Sequence, residues 1–546
     1  DIEGGRQPMV RGATMLTFSG EIYNYRSLRS ELVKHGHDFE TASDTEVLLN
    51  AYRQWGDACL SKLDGMFAFA IWDNEARRLV LARDRLGVKP LYWARTGSGL
   101  VFASEPKGLF RHPDVKPSVS AEGLAMLFAT FGTHHPGATP YASVAEVVPG
   151  TFLVAEDNAI RTGTYWQLEA RPHGEDYHDT IESTAKLLEA AVAQQLESDV
   201  SMCSLLSGGL DSSLVTMHAN RHLPDLETYA VGFVGEADDF VPDLMRPTLD
   251  RPYAESVSRH LELKHTYLAL EAEQLQEAQA AATAARDLPS LGNLDASLHL
   301  LFRSIAEQAT VALSGEAADE VFGGYPWFHD PAALDRRGFP WAPPGAGLAE
   351  VLKPSVKDRM NATGYVNAAY DKAVAETPVL DGESPSDRRR REISYLALTR
   401  FLPVLLDRKD RMSMACGLEV RVPYCDHRLV EYVFNVPWEM KAFGGRPKSL
   451  LREVGYGDLP DDVCARAKSA YPVASDPIYE DRLRDQVSSV MDRDDSLLAQ
   501  IVHPPAVERL IERTSDKPIW LQNLALGYLD QVERWAQHVQ LDSIEL

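Results

Sequence analysis

Ser207-Gly208-Gly209-Leu210-Asp211-Ser212-Ser213 follows directly on the apolar run 202–206 and opens a segment patterned as a helix. A strand that ends in two glycines and turns into a helix makes an anion cradle. The glycines let backbone approach a phosphate, and the helix aims its free N–H groups at it. Ser207, Ser212 and Ser213 add hydroxyl donors, and Asp211 supplies a carboxylate suited to Mg²⁺. Asp and Ser would also serve a plain helix N-cap. The whole heptapeptide lies at the C-terminal end of a strand, where open α/β sheets bind ligands, and this favours the phosphate site. It lacks the Gly-Lys-Thr of a Walker loop, so no lysine from this loop reaches the β- and γ-phosphates.

Outward from the loop, strand and helix alternate. Ile181, Leu188, Val192 and Leu196 form a helical stripe before it; a strand at 228–234, a helix at 253–261 and a strand at 311–313 follow. This layout predicts an α/β doubly wound parallel sheet with helices on both faces, and past about residue 390 the pattern turns largely helical. The strand at 311–313 runs into Ser314-Gly315-Glu316-Ala317-Ala318-Asp319-Glu320-Val321-Phe322-Gly323-Gly324-Tyr325. Acids also suit a helix N-terminus. Two strand ends of one sheet, each with an aspartate, can hold Mg²⁺ between ATP phosphates, which makes Asp211 and Asp319 the metal candidates.

Nearer the start the grammar is mainly β: strands at 15–22, 66–72, 78–83, 90–94 and 99–103, with helices at 25–35 and 45–55. Turn signals such as Asp73-Asn74 and Thr96-Gly97-Ser98-Gly99 separate several of them. That is an α+β layer domain. A polar stretch with Pro172 and Gly174 reads as a linker. The expected division is 1–168, a linker at 169–178, and 179–546, as a chain of 546 residues needs more than one core.

The formal net charge of −25 disfavours nucleic acid and anionic membranes as partners. The basic run Arg388 to Arg391 is followed by Glu392 and reads as a solvated helix start. Five scattered cysteines without CxxC spacing argue against a disulfide framework or a zinc site, and a cytoplasmic setting is expected. There is no apolar run long enough to span a bilayer. His218 and His222 share an i, i+4 spacing but find no third ligand, so surface or half-buried histidines are expected.

The heptapeptide resembles the pyrophosphate loop of the N-type ATP pyrophosphatases. Both signatures, in this order, look like the glutamine-hydrolysing asparagine synthetases of class B. Matching segments include Gly20-Glu21-Ile22-Tyr23-Asn24, Ser43-Asp44-Thr45-Glu46, the run from Arg83 to Tyr92, Asp410 to Ala415, Glu419 to Asp426, and Arg466-Ala467-Lys468-Ser469-Ala470-Tyr471. The resemblance implies an N-terminal-nucleophile glutaminase sandwich, incomplete at its start, ahead of an ATP-pyrophosphatase domain. It implies ATP and Mg²⁺ as cofactors, with aspartate or a related carboxylate, and glutamine or ammonia, as substrates. Leu205, Ser207, Gly208, Gly209, Asp211, Ser212, Val231, Ser314 and Gly315 would surround ATP. Ser19, Gly20, Glu21 and Asp44 would hold glutamine, and Glu316 and Lys468 would be catalytic. Residues 287–295 and Lys448 are expected to shape the acceptor pocket, and a homodimer stays open. Glu316 stands where the related β-lactam synthetases have Tyr, which favours an external amine. The sequence departs from the family in three respects. The family's nucleophilic cysteine and the strand carrying a glutamine-binding arginine would both lie upstream of Asp1, so ammonia dependence is expected, and Ser19 replaces the usual Asn beside Gly20.

Overall fold

The computed structural model describes residues 4–130, 135–157, 159–243, 246–290, 292–342, 347–472, 477–515 and 519–545. Its first ten strands are β1 (Met9–Arg11), β2 (Thr14–Ile22), β3 (Gly65–Asp73), β4 (Arg78–Arg83), β5 (Tyr92–Thr96), β6 (Gly99–Ala103), β7 (Ser118–Ser120), β8 (Ala145–Glu146), β9 (Thr151–Glu156) and β10 (Ala159–Thr164). Six form one sheet in the order β1-β2-β3-β4-β9-β10, and β6-β5-β8 form another; both are antiparallel. β3 explains the layering. Phe67, Phe69 and Ile71 alternate with Ala68 and Ala70, and all five are buried. The large residues pack with Leu28 and Leu32 of the helix Tyr25–Lys34 and with Val47 and Leu48 of the helix Asp44–Trp55. The alanines leave room for Trp93, Leu100 and Phe102 of the second sheet. The period of two thus assigns bulk to one face and close approach to the other.

No helix or strand occupies 167–176. The helix Tyr177–Gln195 then starts under an Asp176 cap that accepts from the Asp179 amide at 2.9 Å. Five parallel strands follow: β11 (Met202–Leu205), β12 (Glu227–Phe233), β13 (His265–Leu270), β14 (Val311–Leu313) and β15 (Glu419–Arg421), in the order β13-β12-β11-β14-β15. The chain steps outward from β11 to β13, then returns to the far side of β11 as β14. The order reverses between β11 and β14, and a crevice opens at such a reversal. Leu188, Val192, Leu214 and Val215 cover one face, from the helices Tyr177–Gln195 and Leu210–Asn220. Leu275, Ala282, Leu301 and Phe302 cover the other, from Ala272–Arg286 and Leu294–Ala306.

The structure changes several expectations. The strand expected at 90–94 begins at Tyr92, because Pro90 has no N–H to donate and the Lys89 carbonyl accepts from Arg83 Nε at 2.8 Å. Within the helical C-terminal part, β15 adds an edge strand. Its three residues hold one apolar position, too little for a periodic signal. The basic run is tied down rather than solvated: Arg389 donates to the Leu334 and Arg336 carbonyls at 2.8 and 2.7 Å, and Arg391 pairs with Glu383 at 2.6 Å. His218 is buried at 3% exposure with both ring nitrogens unpartnered, whereas His222 is exposed. After the helix Ile519–Val539, β16 (Ser543–Glu545) returns to pair with β7. Among the described residues no helix is long and apolar enough to cross a membrane.

Candidate active site

The loop after β11 and the loop after β14 meet backbone to backbone. Gly208 has φ +71°, and a Cβ there would overlap the Ala254 amide of the neighbouring helix Arg251–His260. A Cβ on Gly315 would strike the amide of Ser212. Only glycine allows either approach. Helix Leu210–Asn220 starts from Gly209 with no side-chain cap, so its first-turn amides are available to a ligand. Ser207 and Ser212 hydroxyls lie 3.1 Å apart inside the turn. Ser314 donates its amide to the Arg421 carbonyl of β15 at 2.9 Å, which fixes the second loop to the sheet.

These loops wall a cavity of about 220 Å³. Of the residues expected at ATP, metal and chemistry, Leu205, Ser207, Gly209, Asp211, Ser212, Val231, Ser314, Gly315, Glu316, Asp319 and Lys468 all line it. Gly208 lies behind the loop, against Ala254.

Charge in the cavity is paired. Lys448 Nζ sits 2.6 Å from Asp211 and 2.5 Å from Asp319, and Lys468 is bonded to Asp319. Burial alone would raise the Asp319 carboxyl, but Lys448 and Lys468 overcome it and hold it down at about 2. Burial pushes Asp211 up, against the pull of Lys448. Lys468 is held charged: burial opposes its ammonium, and Asp319 and Asp211 more than restore it. Two carboxylates converging on one cation form an all-oxygen donor set that fits Mg²⁺. Glu316 pairs with Lys409 at 2.7 Å; burial raises its carboxyl, and Lys409 and Arg408 bring it below the ordinary range. Glu320 accepts from the Tyr325 hydroxyl at 2.8 Å and is pushed up to about 8 by burial, Asp319 and Glu316.

Sequence reasoning missed part of the wall. Arg466 joins the Lys468 segment to the glycine-rich loop through Asp250 at 2.5 Å and the Ser207 carbonyl at 3.3 Å, over the Tyr253 ring. The Arg-x-Lys spacing marked Arg466 but not this role. Arg408 and Lys409 also line the cavity, and only their place just before the Asp410 motif could have drawn attention to them.

The acceptor expectation is corrected. No described residue of 287–295 lines the cavity, and Leu291 lies outside the described residues. Asp287 is fully buried and pairs with Arg411 at 2.8 Å and Lys107 at 3.5 Å, while Asp295 pairs with Arg286 at 3.0 Å. Those carboxylates are engaged by structural cations. Lys448 does line the cavity, but its ammonium belongs to Asp211 and Asp319.

The residues expected to hold glutamine gather elsewhere, around β2. Ser19, Gly20 and Glu21 lie on that strand, and Asp44 at the start of its helix accepts from the Ile22 amide at 3.0 Å. Glu21 lies 3.5 Å from the Arg421 guanidinium. Burial raises its carboxyl to about 8, with Glu419 and Asp44 adding to the rise. Burial raises all five thiols, so none is primed as a nucleophile.

Residues 183–537 match the asparagine synthase family, and residues 1–166 match the glutamine amidotransferase domain. Asparagine synthetase (glutamine-hydrolyzing) 3 of Bacillus subtilis is 39% identical over 558 residues, spanning 99% of this chain and 91% of the relative. Asparagine synthetase (glutamine-hydrolyzing) 1 of the same organism is 29% identical over 94% of this chain and 84% of its own. The second such enzyme there is 27% identical over 99% of this chain and 75% of its own.

Proposed function

The chain belongs to the glutamine-hydrolysing asparagine synthetase family, and on that footing we propose that it amidates L-aspartate to L-asparagine through a β-aspartyl adenylate. Nitrogen arrives as ammonia derived from glutamine. The observation that carries this reading is the meeting of two strand-end loops in one cavity, where an uncapped helix N-terminus, two converging aspartates and two lysines face each other.

The chemistry runs in two steps. A β-carboxylate oxygen of aspartate attacks the α-phosphorus of ATP, and the bond to the β,γ-phosphates breaks to release pyrophosphate. Ammonia then attacks the acyl carbon and loses a proton, and the C–O bond to AMP breaks. Leu205, the loop from Ser207 to Ser212, Val231, Ser314 and Gly315 enclose ATP in this account. Lys468, fixed and charged, stabilises charge building on the phosphate of the leaving AMP. Glu316, kept anionic by Lys409 and Arg408, orients the incoming amine and receives its proton. Asp211 and Asp319 would hold Mg²⁺, which when bound neutralises the pyrophosphate. Ser19, Gly20, Glu21 and Asp44 form the glutamine site.

The finer fold and domain assignments follow the same reading. Residues 1–168 are an N-terminal-nucleophile type sandwich, 169–178 a linker and 179–546 a doubly wound ATP-pyrophosphatase domain with a helical C-terminal part. The stacked antiparallel sheets and the strand order of the parallel sheet support it.

The test is pyrophosphate release with ATP, Mg²⁺ and ammonium, with and without L-aspartate, and mass detection of asparagine. Aspartate-dependent release with asparagine formed is the expected result. Release that ignores aspartate, by protein that binds ATP, points to a different carboxylate.

A further inference from the structure

The charged side chains of the cavity fall into two ion-paired groups. In the first, Lys448 holds Asp211 and Asp319, Lys468 holds Asp319, and Arg466 holds Asp250 and the Ser207 carbonyl. In the second, the helix Leu402–Met414 passes Glu316, and Lys409 bonds to Glu316 at 2.7 Å and to the Ser314 hydroxyl at 3.2 Å. Arg408, the residue beside it, lines the same cavity. Its Nε is buried with no acceptor among the described residues. Its charge acts on the Glu316 carboxyl and on the Tyr471 phenol; the cations acting most strongly on Asp211 and Asp319 are instead Lys448 and Lys468.

A guanidinium with a desolvated, unanswered donor is costly unless a ligand answers it. Its planar fork matches a carboxylate, which it can bind through two parallel N–H bonds. Lys409 beside it is taken by Glu316 and the Ser314 hydroxyl. Leu298 and Leu301 are apolar, and the Tyr471 hydroxyl is engaged with Ser297 at 3.0 Å. A phosphate of ATP is the other anion at hand, and Lys448 and Lys468, held at Asp211 and Asp319, are the lysines placed for it.

We propose that Arg408 binds the α-carboxylate of the acceptor amino acid, so that its β-carboxylate points toward the glycine-rich loop. This deepens the aspartate reading and rests on it. Arg408 is then a specificity residue: it distinguishes an amino dicarboxylate from the same molecule without its α-carboxylate.

The experiment compares wild type, Arg408→Met and Arg408→Lys in pyrophosphate release with ATP and ammonium. Each is given aspartate or 3-aminopropionate, which keeps the reacting carboxylate and lacks the other. Arg408→Met should raise the KM for aspartate about 100-fold, the loss expected for a charge-assisted bidentate contact, and leave the KM for ATP within about twofold. The preference for aspartate over 3-aminopropionate should fall by a similar factor, with Arg408→Lys in between. An unchanged aspartate KM overturns the assignment. So does an unchanged preference, which would mark a purely structural arginine, or a matching rise in the KM for ATP, which would mark a phosphate contact. If Arg408→Met does not fold, Arg408→Lys decides by the same preference ratio. A wild type that binds ATP but releases no pyrophosphate with aspartate overturns the aspartate reading itself, and this inference with it.

Discussion

Lys468 is held by Asp319, which Lys448 holds in turn. A cation fixed in advance stabilises developing charge without reorganising. Lys468→Met should therefore lower kcat for aspartate-dependent pyrophosphate release by about 100-fold or more, while the KM for ATP changes only a few-fold. Steady-state kinetics separates the two, and a loss confined to KM would show a binding role only. His218 makes a different prediction. Burial, with Arg221 adding, holds its imidazole down at about 4 from an ordinary 6.5. Between those pH values the unfolded chain binds a proton that the folded chain refuses. Stability contributed by the neutral form is thus present above pH 6.5 and is lost as pH falls toward 4. The slope for one proton is at most about 1.4 kcal/mol per pH unit. His218→Leu should flatten that acid-side loss in urea unfolding; parallel slopes for variant and wild type would contradict it.

At the scale of elements, the helix Leu402–Met414 joins the two halves of the chain. Lys409 reaches Glu316 in the cavity, while Asp410 pairs with Lys89 at 2.8 Å and Arg411 donates to the Ser104 carbonyl at 2.9 Å. Lys89 and Asp410 are both buried, at 1% and 8% side-chain exposure. Removing one partner leaves an uncompensated charge. Lys89→Met should destabilise by roughly 3–5 kcal/mol, and Lys89→Met with Asp410→Leu should recover most of it. Denaturant unfolding of the two variants checks this, and equal stabilities would contradict the pairing. This is also where the sequence stops being legible. The two loops could be read because each is local: an apolar run, then glycines, serines and acids at the turn. The Lys89–Asp410 pair joins residues 321 positions apart and leaves no local trace. The stretch 287–295 misled for the same reason, since Arg411, the distant cation of Asp287, lies across the fold. Arg408 sits in no pattern that a single sequence can show.

On the scale of the whole molecule, β15 stands between the residues proposed to hold glutamine and the cavity. The Arg421 side chain approaches Glu21, and its carbonyl accepts from Ser314. The strand Ser543–Glu545 pairs with Ser118–Ser120, and the Asp542 amide donates to the Pro117 carbonyl at 3.0 Å. Deleting 542–546 removes those few hydrogen bonds at a distance from the cavity. A loss of about 1–3 kcal/mol in unfolding free energy is expected, with the KM for ATP unchanged. A large change in that KM would mean the strand supports the site directly. The parts converge on one chemical claim, that a carboxylate is joined to AMP before nitrogen arrives. The measurement closest to it uses aspartate carrying oxygen-18 in its β-carboxylate, with ATP, Mg²⁺ and ammonium, and reads the products by mass. Adenylation predicts one labelled oxygen in AMP and none in pyrophosphate. Unlabelled AMP, or label in orthophosphate split from the γ-position, would contradict it.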